Sequence, residues 1–118
     1  MKIRIKGNSL RYRLTRSEVE KLAKEGVIED NTEFATGTLV YSLRSIAAGH
    51  LSASFEDNCI TLYMPGQFLQ EWTDTDRVGF EHTDNGIYLL IEKDFVCLDN
   101  QTEDQSDNYP NPLADKLC

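Results

Sequence analysis

The run Asn8-Ser9-Leu10-Arg11-Tyr12-Arg13-Leu14 comes back, position for position, as Asn58-Cys59-Ile60-Thr61-Leu62-Tyr63-Met64, an offset of 50 residues. Leu10, Tyr12 and Leu14 alternate with polar residues in the first run, and Ile60, Leu62 and Met64 do so in the second. This period of two marks a strand with one buried face. The residues before each run complete a hairpin. Ile3 and Ile5 alternate with Lys2, Arg4 and Lys6 before the turn pair Gly7-Asn8, and Leu51, Ala53 and Phe55 alternate before Asp57-Asn58.

A short helix comes after each run. Thr15-Arg16-Ser17-Glu18 has the form of a capping box, in which a hydroxyl and a glutamate three residues on satisfy free amide donors. Val19, Leu22 and Ala23 then give one apolar face, and Gly26 suits a left-handed stop. In the second copy Pro65 opens the helix, and Phe68, Leu69 and Trp72 supply its apolar face. Each helix leads into a second hairpin. The first copy has strands around Val27–Phe34 and Thr38–Ile46 with Thr36-Gly37 between them. The second begins at Val78-Gly79-Phe80, turns at Asp84-Asn85-Gly86 and returns through the apolar Ile87–Ile91. The offset continues through Val19 and Leu69, Leu22 and Trp72, Ile28 and Val78. The pattern is an internal ββαββ duplication, copy one over residues 2–48 and copy two over 49–98, forming a single domain over 1–98.

The 118 residues suit one compact domain, and no apolar run approaches the ~18 residues that a helix needs to span a bilayer. Nothing at Met1-Lys2-Ile3-Arg4-Ile5-Lys6 reads as a secretory signal. Three widely spaced cysteines, Cys59, Cys97 and Cys118, do not make a disulfide framework, so a reducing cytoplasm is expected. Residues 99–118 read as an extended acidic tail, with Tyr109, Leu113 and Leu117 as anchors along the domain.

Each copy resembles the unit of the AbrB/MazE/MraZ-type swapped-hairpin families, which include transcription factors and antitoxins. The resemblance rests on Lys6-Gly7-Asn8-Ser9 with Arg13-Leu14-Thr15, and on Asn58 to Pro65 with Phe68-Leu69 and Asp76-Arg77-Val78 beyond it. It implies a mainly β fold with two short α-helices, a pseudo-twofold swapped-hairpin (double-split) β-barrel in which one chain supplies both interleaved units. The whole chain also resembles an uncharacterised family of short bacterial proteins, on Glu92 to Leu98 and Glu103 to Pro112. No activity comes with that second likeness.

Twenty acidic against twelve basic residues give a formal charge of −8, which argues against a uniformly basic nucleic-acid surface. The sign is uneven. Residues 1–48 carry nine bases and six acids, 49–98 two and nine, and 99–118 one and five. Lys2, Arg4, Lys6, Arg11, Arg13 and Arg16 lie in a stretch without any acid, and the first five project from one hairpin face. In the swapped-hairpin DNA binders that hairpin meets DNA, and Arg13 falls on the arginine from which they contact it. The second copy has Tyr63 at the place of Arg13 and Glu56-Asp57 at that of Lys6-Gly7, whereas a two-fold reader needs both half-sites. The bland alternative is a solvated face, or pairing with the acidic second half.

No phosphate-cradling glycine loop, nucleophile elbow or paired-histidine zinc motif is present. His50 and His82 lie in different copies with no cysteine or carboxylate at ligand spacing in the sequence, so no metal and no cofactor is expected. The reading is a non-enzymatic cytoplasmic binding protein without membrane association, a monomer or weak homo-oligomer. Its partner is a protein or, weakly, nucleic acid through the basic hairpin. A third reading is antitoxin-like binding through Glu103, Asp104, Asp107 and Tyr109 of the tail.

Overall fold

The computed structural model describes residues 1–95 and 107–109. The elements run β1 (Lys2–Lys6), β2 (Ser9–Leu14), α1 (Arg16–Glu25), β3 (Val27–Phe34), β4 (Gly37–Ile46), β5 (Ser52–Glu56), β6 (Cys59–Pro65), α2 (Gly66–Asp74), β7 (Gly79–Asp84) and β8 (Ile87–Lys93). The element order is thus ββαββ, given twice. Local chemistry explains the boundaries. Glu18 accepts the Thr15 backbone N–H at 2.9 Å to start α1, and Gly26, at φ 78°, ends it by donating its N–H to Leu22 O. Asp57 and Asn58 both take positive φ at the β5–β6 turn, as do Asn85 and Gly86 at the β7–β8 turn, the conformation that matches strand twist in two-residue hairpins.

The strands form two four-stranded sheets, ordered β1-β2-β8-β7 and β3-β4-β6-β5. Each sheet therefore takes the first hairpin of one half and the second hairpin of the other. The junctions are parallel: β2 lies on β8 with Tyr12 opposite Ile91, and β4 on β6 with Leu43 opposite Leu62. An isolated hairpin is marginal in water, so neither half completes a sheet without the other. Among the described residues the two sheets do not close into the expected barrel, and hydrogen bonding stops after four strands in each.

The buried residues track the duplication. Tyr12 and Leu62, Leu14 and Met64, Val19 and Leu69, Leu22 and Trp72 are all buried, and the two helices pack on each other above them. One matched pair needs correction. Val78 is exposed, and the residue in the place of Ile28 is Phe80. Equivalent root bonds show the shift: Ser45 N–H donates to Gly26 O, and Lys93 N–H donates to Val78 O. β7 begins two positions later than the offset of 50 would place it, and the β3–β4 hairpin is two pairs longer than β7–β8. An even change keeps every side chain on its face. Ala23, expected on the apolar face of α1, is exposed.

Candidate binding surface

Strand parity puts Lys2, Arg4, Lys6, Arg11 and Arg13 on the outer face of the first sheet, as expected from the alternation. The structure then gives most of them partners. Glu92 of β8 stands opposite Arg13 across the parallel junction, and its Oε1 accepts from Nε of Arg11 and Nε of Arg13, both at 2.7 Å. The Lys2 ammonium lies 3.0 Å from the buried Asp94 carboxylate. Arg16 sits over the Tyr109 ring, 5.4 Å from its centroid. Among the described residues, Arg4 and Lys6 have no ionic partner. Two carboxylates of the second half, Glu92 and Asp94, therefore offset part of the charge of the acid-free stretch.

Two tail residues are also engaged within the chain. Asp107 O accepts the Arg16 N–H at 3.1 Å, and Tyr109 N–H donates to Asp94 O at 2.9 Å. The Ser17 hydroxyl donates to the Asp107 carboxylate, which, with help from Thr15, holds that carboxyl below its usual range. The Tyr109 ring packs 5.8 Å from Phe95. It closes one side of an open groove of about 670 Å³ that also takes in Val19, Thr75 and Lys93. Burial lowers the Lys93 pKa, with Asp76 opposing it, and the ammonium donates to Thr75 O at 3.0 Å. Glu103, Asp104, Leu113, Leu117, Cys97 and Cys118 lie outside the described residues.

The apolar surface is elsewhere. Ile5, Phe34 and Phe55 are 58%, 60% and 66% exposed, although each has the parity of the core-facing residues of its strand. In the second sheet a row runs Phe55–Ile60–Tyr41 across the paired strands, and Leu39 and Phe34 continue the same face toward the β3–β4 tip. Ile60, Tyr41 and Leu39 are half-buried. The long β3–β4 hairpin carries the core face outward past the residues that cover it. Asp30 lies on this same face, opposite Tyr41, and Asp57 stands at the β5–β6 turn, whereas Glu29, Glu33 and Glu56 alternate to the opposite face; Arg44 is the one base of this sheet.

His50 and His82, distant in sequence, meet. Their ring centroids are 4.7 Å apart, and His50 Nε2 lies 3.2 Å from Asp84 Oδ1. The expectation that neither histidine has a carboxylate near it is corrected by the pairing of the halves, which brings the loop before β5 against β7.

The partly neutralised hairpin makes a direct prediction. Glu92→Gln removes the one acceptor charge shared by Arg11 and Arg13, so the face gains one net positive charge. Binding to labelled duplex DNA at low salt should tighten. The slope of log K against log salt should steepen by about 1, at ~0.9 per phosphate. Fluorescence anisotropy across a salt series checks it, and an unchanged slope rejects the assigned role of Glu92.

A model for the family of unknown function DUF7009 matches residues 1–113. No curated protein and no solved structure matches the chain.

Proposed function

We propose that this chain, which belongs to that family, is a non-enzymatic binding protein whose docking surface is the apolar overhang of the second sheet. The carrying observation is the exposure of Phe34 and Phe55 on a core-parity face that also carries Asp30. On soluble proteins, contiguous exposed apolar patches larger than a few hundred Å² commonly mark docking sites. The acids select the partner: an extended protein segment with apolar residues flanked by lysine or arginine. Such a strand places its apolar side chains against Phe34, Leu39 and Phe55 and its cations against Asp30, which shares that face, and Asp57 at the β5–β6 turn.

A labelled peptide of alternating Leu and Lys is the probe, with a Leu/Glu peptide as the control. The Leu/Lys peptide should bind, and the double substitution Phe34→Ser, Phe55→Ser should weaken it tenfold or more, about 1.4 kcal/mol. Both rings are exposed, so the variant keeps the fold. Equal binding of the two peptides, or no loss in the variant, overturns the proposal.

The exchange of hairpins between halves supports the likeness to the AbrB/MazE/MraZ-type unit, since that resemblance implies this pairing. It does not favour the nucleic-acid function found in those families. Lys2, Arg11, Arg13 and Arg16 are already engaged inside the chain, leaving Arg4 and Lys6 for phosphate. Antitoxin-like use of the tail would have to release Asp107 and Tyr109 from their bonds to α1 and Asp94. The free, half-buried Cys59 suits a reducing cytoplasm.

A further inference from the structure

We infer that His50, His82 and Asp84 form a binding site for a divalent transition-metal ion of the zinc type. The ion clips the linker between the two halves to the edge strand of the first sheet. The three residues come from two separate elements. His50 comes directly after Gly49, whose φ of 114° is a conformation that glycine alone adopts without strain. His82 and Asp84 are two apart on β7, so their side chains share the face that carries the buried Phe80. The Asn85-Gly86 turn closes immediately after Asp84 and fixes its position.

The donor atoms of the three side chains all lie within 4.8 Å of one another. A tetrahedral zinc ion with ligands at ~2.0–2.2 Å holds its donors about 3.4 Å apart. The His50 Nε2 to Asp84 Oδ1 separation of 3.2 Å is already at that spacing. The remaining contraction falls on two exposed imidazoles that are free to turn about their side-chain bonds. The Asp84 side chain is only 15% exposed and serves as the fixed anchor. Two imidazole nitrogens and one carboxylate oxygen suit zinc, nickel or copper, and they do not suit magnesium or calcium, which want oxygen ligands. The exposed side of the cluster leaves the fourth position to water or to a donor from a partner.

The ion would act on the assembly of the halves. β5 and β7 are edge strands of different sheets that touch beside this cluster. A metal bond there ties the linker to the second hairpin of copy two, adding to the single His50–Asp84 hydrogen bond. An ion that binds only the folded chain raises its melting temperature.

The test uses the full reduced chain titrated with Zn²⁺, Co²⁺ and Mg²⁺. One equivalent of Zn²⁺ should bind saturably and raise Tm, while Mg²⁺ should do neither. The Co²⁺ complex should lack a thiolate charge-transfer band, which excludes the cysteines as ligands. His50→Ala and His82→Ala should each weaken Zn²⁺ binding about tenfold or more, with Tm of the metal-free protein unchanged in His82→Ala and lowered only slightly in His50→Ala, which also loses the hydrogen bond to Asp84. A thiolate band, an equal response to Mg²⁺, absence of saturable binding, or a His50→Ala, His82→Ala double variant that binds as tightly as the parent overturns the site.

Discussion

Trp72→Ala should unfold the protein at a markedly lower denaturant concentration, with a loss of about 3–5 kcal/mol, the range for large aromatic truncations in cores. The side chain is fully buried, at the point where α2 seats on the two sheets. Its truncation leaves a cavity that strands from both halves would have to collapse to fill. Its indole N–H also donates to Val78 O at 2.9 Å. Trp72→Phe separates the two contributions, because it keeps most of the buried ring and removes only that bond, worth about 1 kcal/mol. Equilibrium urea unfolding monitored by circular dichroism checks both. Against a total stability of about 5–15 kcal/mol, the alanine variant loses about a fifth or more of what holds the chain folded. A cost near that of the phenylalanine variant would show that the helix layer is not part of the cooperative core.

That Trp72 belongs to the core was legible from its spacing with Phe68 and Leu69 and from its match to Leu22. The hairpins were legible for similar local reasons, since alternation and turn residues such as Asp57-Asn58 act over a few residues. The match of Ile28 to Val78 failed where a length change is silent in composition. Two residues are added before β7 and two pairs, four residues, are removed from its hairpin, and hydrophobicity alone does not locate either change. Glu92 went unnoticed as a partner of Arg11 and Arg13 because the contact depends on a parallel register between strands some 80 positions apart. The meeting of His50 with Asp84 depends on the same exchange of hairpins. Alternation assigned Phe55 to the inner face correctly. How far the opposing layer extends over that face is a property of the assembled sheets, and no periodicity records it.

The sequence also gives no sign of how tightly β7 meets β8, and Gly79→Ala should expose that. A Cβ at Gly79 would stand 2.1 Å from Ile91 O and 2.8 Å from Glu92 Cα. Both are backbone atoms of the paired strand, so no rotamer change relieves the clash and the root of β7 must move away from β8. The cost should reach about 3 kcal/mol, the upper part of the overpacking range, because neighbouring bonds move with it. Val78 O accepts the Lys93 N–H at 2.9 Å as well as the Trp72 indole. A displaced β7 root therefore loosens the helix layer and the sheet together. This coupling has its own signature. In a double-mutant cycle, Gly79→Ala and Trp72→Phe should cost less together than the sum of the single losses, by at least about 0.5 kcal/mol, since the first change already weakens the bond that the second removes. Strict additivity would mean that the strand yields without disturbing Val78, and the tight approach at Gly79 would then be a local fit of the sheet alone.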